Sequence, residues 1–253
     1  MISKNFEINN SNNIRCKIYC DDIHKLNKIV IFFHGFGGHK DNKAAERFAD
    51  AICSKEKRTG VITFNLPCHG DDIKKRLVLS DCDRYIDDVV NYAKNLEDVN
   101  DVFAYGTSFG GYLVFKYIYE HGNPFKKMAF RCPGINMYDE LSKALMNDDD
   151  FRMLDKGKEI FVGFDRKVLI NKTFLDDLIA CDILQNDYIE YADDILIMHG
   201  LKDEIVPIDS VKDFCEKNVL ELISVENADH RFSDLNTLNW ANSKIIDFFR
   251  ESY

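Results

Sequence analysis

The stretch Ala104–Leu113, AYGTSFGGYL, places a serine between two glycines, with an apolar run before it and an amphipathic run after it. The run DVFAY predicts a strand, and FGGYLVFKYIYE predicts a helix. Gly106, Ser108 and Gly110 therefore form a G-x-S-x-G motif at a strand–turn–helix junction, where such a turn exposes the serine hydroxyl. The alternative for this motif alone is an ordinary glycine-rich connection, and the other loops of the chain decide between the two.

Short apolar runs alternate with helical periodicity along the chain, which predicts an α/β fold. The runs KIVIFF, VITFN, DVFAY, KKMAFR and DILIMHG predict strands, and the first is apolar throughout, as in a strand buried on both faces. Amphipathic helices are predicted between them, and SKIIDFF predicts a final helix. The first twenty residues predict a leading hairpin. We therefore expect a mostly parallel twisted sheet flanked by helices.

The length of 253 residues is compatible with a single domain spanning 1–253. Residues 135–190 interrupt the alternation with a predicted helix at NDDD and then KEIFVGFDRKVLI, two β-like runs around GFDR. We interpret this segment as an insertion over the sheet that forms a small lid containing a β-hairpin. One face of the hairpin should pack on the domain and the other should face water, because side chains alternate along a two-stranded ribbon.

Composition limits the partners of the chain. Its net charge of −10 argues against binding nucleic acid or an anionic membrane surface. No apolar stretch approaches the length of about 20 residues that spans a bilayer, and the start MISKNFEINN lacks the apolar core of a secretory signal. We expect a cytoplasmic protein whose eight cysteines are reduced. No second Cys/His pair at zinc spacing accompanies Cys16 and Cys20, so no metal site is expected.

Two further loops carry residues that could activate Ser108. The stretch HGLKDEIVP, His199–Pro207, follows the strand DILIM and places Asp203 in the loop that leaves it. The stretch ENADHRF places His230 after the predicted strand ELISVEN. A serine needs a base, and that base needs an acid to fix its tautomer. Each of the three residues follows a separate strand, so all three should meet at one edge of a parallel sheet.

Several residues compete for these roles. Glu204 and Asp209 are the rivals of Asp203, but Glu204 is expected to face solvent and Asp209 to cap the next helix. Cys68 and Cys132 are rival nucleophiles, and we expect both to be buried or incidental. A lone loop histidine is more often an exposed residue without function. The assignment of His230 as the base therefore depends on the presence of Ser108 and Asp203.

An attacked carbonyl needs two hydrogen-bond donors for its developing negative charge. The backbone N–H of Phe109, at the start of the helix after Ser108, is one candidate. The stretch FFHGFGGHK follows KIVIFF and supplies the second, for which we choose the N–H of Phe36. Its glycines let the backbone approach a substrate closely. His34 in this stretch is expected to be a buried, hydrogen-bonded histidine with no catalytic step.

Taken together, HGFGG, GTSFGG, HGLKDEIVP and ADHRF resemble the signature loops of the α/β-hydrolase family, in the same order. The stretch NLPCHGDD, residues 65–72, is similar to another loop of that family. Within it, the chain resembles small bacterial carboxylesterases of the cinnamoyl or feruloyl esterase type, and GKEIFVGFDRKVLINKTFLDDL resembles their lid. Thr107 and Phe109 stand where those esterases often carry His and Gln.

The resemblance implies a serine hydrolase that cleaves a small-molecule carboxylic ester without a metal or organic cofactor. Ser108 would be the nucleophile, His230 the base and Asp203 its orienting acid, with the N–H groups of Phe36 and Phe109 as the oxyanion hole. Thioester hydrolysis, amide or peptide hydrolysis, and a non-catalytic binding module on the same fold are the alternatives. No nucleic-acid or membrane partner is expected, and a homodimer stays open.

Overall fold

A computed structural model describes residues 1–10, 13–72 and 75–251 of the chain. Its strands are β1 (Ile2–Asn9), β2 (Asn13–Cys20), β3 (Lys28–Phe33), β4 (Thr59–Phe64), β5 (Asp101–Thr107), β6 (Met128–Arg131), β7 (Ile160–Val162), β8 (Val168–Ile170), β9 (Ile195–Gly200) and β10 (Glu221–Val225). Its α-helices are α1 (Lys43–Lys55), α2 (Leu79–Lys94), α3 (Phe109–His121), α4 (Met137–Leu145), α5 (Asp148–Asp155), α6 (Lys172–Ala180), α7 (Ile208–Asn218) and α8 (Leu235–Arg250).

Eight strands form the main sheet in the order β1-β2-β4-β3-β5-β6-β9-β10. The leading hairpin β1–β2 is antiparallel and pairs antiparallel with β4, and every other pairing is parallel. The mostly parallel sheet, the strands predicted from apolar runs and the leading hairpin are therefore confirmed.

Helices cover both faces of this sheet. One apolar cluster joins α2, α3 and α7 to the sheet, and a second joins α1 and α8 to its other face. The strands β3 and β4 are accordingly buried on both faces, which explains why their sequences are apolar rather than alternating. The carboxyl ends of β3, β5, β9 and β10 all meet at one edge of the sheet, because these strands run parallel.

The insertion between β6 and β9 contains α4, α5, the two-stranded sheet β7–β8, and α6. The predicted hairpin around GFDR is confirmed, and so is its alternation. Its inward residues are buried, namely Ile160, Val162, Val168 and Ile170. Phe161 and Phe164 point outward and are 53% and 50% exposed. The four inward residues belong to the same apolar cluster as the sheet, so the hairpin is anchored to the domain.

All eight cysteines lie within the described residues, and each is a free thiol. Seven of them are buried, and only Cys181 is partly exposed. Among the described residues, no helix has both the length and the apolar character that a membrane span requires.

Candidate active site

Ser108 occupies the turn between β5 and α3 in a strained backbone conformation, with φ 50° and ψ −121°. A non-glycine residue rarely adopts a positive φ, and such strain is concentrated at functional sites. The flanking glycines are sterically required. A Cβ on Gly110 would lie 2.2 Å from the carbonyl oxygen of Phe33, and one on Gly106 would lie 2.8 Å from Gly111 Cα. The two glycines of the G-x-S-x-G motif are therefore required by a tight turn, and they do not indicate a flexible loop.

The structure brings Ser108, His230 and Asp203 together in one hydrogen-bonded chain. Ser108 Oγ lies 3.0 Å from His230 Nε2, and His230 Nδ1 lies 2.7 Å from Asp203 Oδ2. Since an ionised carboxylate can only accept, Nδ1 carries the ring proton and Nε2 is left to accept from the serine hydroxyl. This is the tautomer in which the imidazole can take a proton from Ser108.

The Asp203 carboxylate is fully buried, with a side-chain exposure of 0%. Its Oδ1 accepts the backbone N–H groups of Ile205 and Val206, both at 2.9 Å. Burial opposes ionisation, but the hydrogen bonds from His230 and from these two N–H groups outweigh it and lower the pKa of Asp203. The group is therefore a carboxylate over the whole neutral range.

The rival carboxylates lie away from this chain of contacts. Glu204 is exposed, as predicted. The prediction that Asp209 caps α7 is wrong, because Pro207 occupies the N-cap position without a side-chain bond and Asp209 lies in the first helical turn. Its carboxylate is 89% exposed and pairs with Lys212 at 3.6 Å. Proline starts this helix through its fixed φ of −62°, and Asp209 in the first turn interacts with Lys212 and with the helix dipole.

The loop after β3 lies directly against the serine. A Cβ on Gly35 would be 3.2 Å from Ser108 Cβ and 3.7 Å from Ser108 Oγ. The N–H of Gly38 donates to the carbonyl of Gly35 at 2.9 Å and closes a turn that does not use the N–H of Phe36. Phe109 is the first residue of α3, so its N–H has no acceptor within the helix. Both predicted oxyanion donors are therefore next to Ser108.

His34 ties this loop to the one that follows β4. Its Nε2 accepts the N–H of Leu66 at 3.2 Å, so its Nδ1–H donates to the carbonyl of Gly35 at 2.8 Å. Burial and the nearby His69 hold the pKa of His34 well below its usual value. A neutral, buried and doubly bonded His34 agrees with the structural role expected from the sequence.

The insertion reaches the site at two places. The ring of Phe174 in α6 lies 6.4 Å from the ring of Phe36 and 6.4 Å from that of Phe109, which are 5.6 Å apart. The rings of Phe109 and Phe174 are fully buried and that of Phe36 is partly exposed, so this cluster packs α6 against the loops on either side of Ser108.

The second contact is made by the turn of the hairpin, residues 163–166. The carbonyl oxygen of Arg166 lies 2.7 Å from the position that a Cβ on Gly37 would take, and Gly37 has φ +74°. Asp165 pairs with Arg231 at 3.2 Å, and the Arg231 guanidinium lies 5.4 Å from the ring of Phe164. Arg231 directly follows His230, so the turn of the hairpin touches loops on both sides of Ser108.

Two residues beside the site were missed by sequence reasoning. His199 Nε2 donates to the carbonyl of Val206 at 3.0 Å and lies 3.4 Å from Asp203 Oδ2. Burial lowers the pKa of His199, so the ring is neutral. His199 could have been found from its position at the carboxyl end of the strand that precedes the Asp203 loop.

Glu140 is the second, and it is 5% exposed although it lies in a helix. Its Oε1 accepts the N–H groups of Ile135 and Asn136 at 3.0 and 2.8 Å. Burial raises the pKa of Glu140 to about 7. The carboxyl group thereby links α4 to the loop behind Ser108, and a helical glutamate in a sequence gives no sign of such burial.

Metal-ligating atoms also occur here. Atoms of Cys132, Asp203 and His230 lie within 4.8 Å of one another. The Nδ1 of His230, however, already donates to Asp203. In the described residues this donor set is therefore arranged for an imidazole–carboxylate pair, and a metal ion would have to displace that hydrogen bond.

The fold and the site define a serine hydrolase of the α/β-hydrolase class. More narrowly, the chain belongs to the serine aminopeptidase S33 family, whose sequence model matches residues 24–151. No curated protein matches the sequence.

Solved structures have the same fold. Est1E from Butyrivibrio proteoclasticus, with ferulic acid bound, superposes with a TM-score of 0.76 at 18% identity, covering 96% of this chain and 97% of that one. The alpha/beta hydrolase domain-containing protein 10 from mouse gives 0.72 at 15% identity, covering 97% and 98%. The esterase domain of a Rhodothermus marinus protein gives 0.69 at 16% identity, covering 98% and 97%. At these identities the likeness concerns the fold alone.

Proposed function

We propose that the protein is a serine esterase that hydrolyses a small-molecule carboxylic ester through an acyl-enzyme on Ser108. The observation that carries this proposal is the chain of contacts from Ser108 Oγ to His230 and on to Asp203, at 3.0 and 2.7 Å, on a strained turn. A hydroxyl held by a neutral imidazole, itself held by a buried carboxylate, is suited to nucleophilic attack on a carbonyl.

In this mechanism Ser108 Oγ attacks the ester carbonyl carbon while His230 Nε2 takes the hydroxyl proton. The N–H groups of Phe36 and Phe109 donate to the oxyanion of the tetrahedral intermediate. His230 returns the proton to the leaving alcohol oxygen, which frees the alcohol and leaves the acyl-enzyme. Water then attacks the acyl carbon, again with His230 as base, and releases the acid with Ser108 restored. Asp203 stays ionised and stabilises the imidazolium in both halves.

The family description raises a second candidate, removal of an N-terminal residue from a peptide. Such an enzyme has to bind the substrate's ammonium group, which calls for a free carboxylate near the nucleophile. Among the residues that the structure describes, the carboxylates named above at this site already have partners: Asp203 binds His230, Glu140 accepts two backbone N–H groups, and Asp165 pairs with Arg231. The partly exposed ring of Phe36, next to Gly35, favours an apolar or aromatic acyl group instead. We therefore favour an ester.

A substrate panel separates the candidates. We expect p-nitrophenyl acetate and methyl ferulate to be hydrolysed at least about 100-fold faster, in kcat/KM, than alanine p-nitroanilide, since two N–H donors and a triad do not supply an ammonium site. A thioester of the same acyl group tests the remaining alternative, which is thioester hydrolysis. Protein blocked with a fluorophosphonate supplies the background rate. Faster turnover of the anilide would replace the esterase with an aminopeptidase, and no turnover of any substrate would favour a binding module.

We extend the proposal to residues 135–190, which would act as a lid on the site. The contacts that support it are those of the hairpin turn with Gly37 and Arg231, and those of Phe174 with the two oxyanion residues. The eight free thiols fit a reducing compartment, so we also propose a cytoplasmic location.

The hairpin offers a matched pair of substitutions for testing the lid. Phe164 lies at the turn beside Arg231 and Phe161 lies in β7, and both rings are about half exposed. We expect Phe164→Ser to raise KM for methyl ferulate about fivefold, corresponding to about 1 kcal/mol of lost apolar contact, and to leave p-nitrophenyl acetate within about twofold. Phe161→Ser should change neither. Equal effects of both variants, or on both esters, would mean that the hairpin is only a structural brace.

A further inference from the structure

Cys132 directly follows β6 and is fully buried in an uncommon backbone conformation, with φ 44°. Its N–H donates to the carbonyl of Met198 at 2.9 Å, and its own carbonyl accepts the N–H of Ser108 at 3.1 Å. The residue is therefore fixed to the nucleophile turn on one side and to β9 on the other. A non-glycine residue at positive φ persists only where its surroundings over-determine it.

The side chain of Cys132 points to the acid of the site. Its Sγ lies within 4.8 Å of a carboxylate oxygen of Asp203 and of a ring nitrogen of His230. Burial, and after it the charge of Asp203, raise the pKa of the Cys132 thiol well above its usual value. The sulfur is therefore a protonated donor without access to solvent, which removes it as a rival nucleophile.

Asp203 needs such a donor. A buried carboxylate has about four acceptor sites, and each unsatisfied one costs free energy. Oδ1 accepts two backbone N–H groups, while Oδ2 accepts His230 Nδ1–H and has His199 Nε2 at 3.4 Å, a nitrogen that already donates to a carbonyl. The Cys132 thiol, within 4.8 Å of this carboxylate, is a further donor that could serve it.

We propose that Cys132 is a positioning residue, whose thiol donates to the Asp203 carboxylate and holds it in the orientation that receives the Nδ1–H of His230. The inference rests on the proposed function, because orienting His230 matters only if His230 activates Ser108. Cys132 would thus hold two members of the site at once, Ser108 through its carbonyl and Asp203 through its thiol.

Substitution of the thiol separates hydrogen bonding from packing. We expect Cys132→Ala to lower kcat for p-nitrophenyl acetate about five- to tenfold with KM within about twofold, because one hydrogen bond to the acid is lost. Cys132→Ser keeps a donor and should recover most of kcat. Cys215 provides the matched control, since it is a buried thiol in α7 whose pKa burial raises to about 12. Cys215→Ala and Cys215→Ser should leave kcat unchanged, even if they lower stability.

The pH dependence of kcat/KM distinguishes the loss of a hydrogen bond from the creation of a cavity, because a cavity alone would not shift it. The titratable groups facing Asp203 are His230, His199, Cys132 and, from α4, Glu140. Removing the thiol leaves the charge of Asp203 less compensated, so the carboxylate holds the His230 proton more tightly. The acid limb of kcat/KM should therefore move to higher pH in Cys132→Ala and stay in place in Cys132→Ser and in both Cys215 variants.

Equal kcat in Cys132→Ala and wild type, or equal losses in Cys132→Ala and Cys132→Ser with an unmoved acid limb, would overturn the inference. If Cys132→Ala does not fold, Cys132→Gly replaces it, since glycine suits φ 44° and also lacks the donor. The rate of fluorophosphonate labelling of Ser108 gives the same comparison if no ester in the panel is turned over. Wild-type protein that neither turns over esters nor labels would overturn the proposed function itself, and this inference with it.

Discussion

The Ser108→Ala variant is expected to lose at least about 10⁴-fold in kcat while it keeps the fold of the wild type. The loss follows because the hydroxyl is the atom that forms the acyl-enzyme, and the remaining N–H donors can only bind the substrate. The fold should persist because alanine keeps the Cβ of serine and removes only the hydroxyl, whose hydrogen bond is to His230 Nε2. Measurement of kcat, together with labelling by a fluorophosphonate probe, checks both parts.

Ser54→Ala supplies the matched control for this experiment. Ser54 lies on the exposed side of α1, and its hydroxyl donates to the carbonyl of Ala51 at 2.8 Å. The variant should keep wild-type kcat and wild-type labelling. Persistent labelling of Ser108→Ala would identify another residue as the nucleophile, whereas loss of the urea unfolding transition would show that the substitution damaged the fold rather than the chemistry.

The sequence predicted that Ser108, Asp203 and His230 meet, because each follows a strand at the same sheet edge, and the structure brings them into contact. Ser108 needed only the apolar run before it and the glycines around it, since a turn this tight excludes Cβ atoms at positions 106 and 110. Asp203 and His230 could be chosen from chain order and from their place after β9 and β10. Parallel pairing of these strands then converts a large separation in sequence into direct contact.

Other residues of the site depend on packing that no local pattern reports. Glu140 is spaced like an ordinary helical glutamate, yet α4 buries it against the backbone behind Ser108. Cys132 has the sequence context of an incidental thiol, and only the pairing of β6 with β9 brings it to Asp203. The error at Asp209 has a local cause, since Pro207 starts α7 without any side-chain cap. Local chemistry therefore predicted the residues that the structure brings into contact with Ser108 better than the groups packed around them.

The second large effect is expected for Asp203→Asn, which should lower kcat about 10⁴-fold. The amide oxygen of asparagine can still accept the N–H groups of Ile205 and Val206, as Oδ1 does now. Its NH₂ group then faces His230 Nδ1, which must become an acceptor. The ring proton moves to Nε2, and the imidazole can no longer take the proton of Ser108.

Replacing the carboxylate of a neighbouring acid by an amide distinguishes this effect on the tautomer of His230 from a simple change of charge. Asp209→Asn and Glu204→Gln remove one negative charge each from exposed positions and should leave kcat within about twofold. Because the three variants alter net charge equally, a loss confined to Asp203→Asn would trace to the position of Asp203 beside His230 and not to charge. A severe loss of kcat in Asp209→Asn, with Asp203→Asn near wild type, would mean that the acid partner of His230 in solution is not the one that lies 2.7 Å from it here.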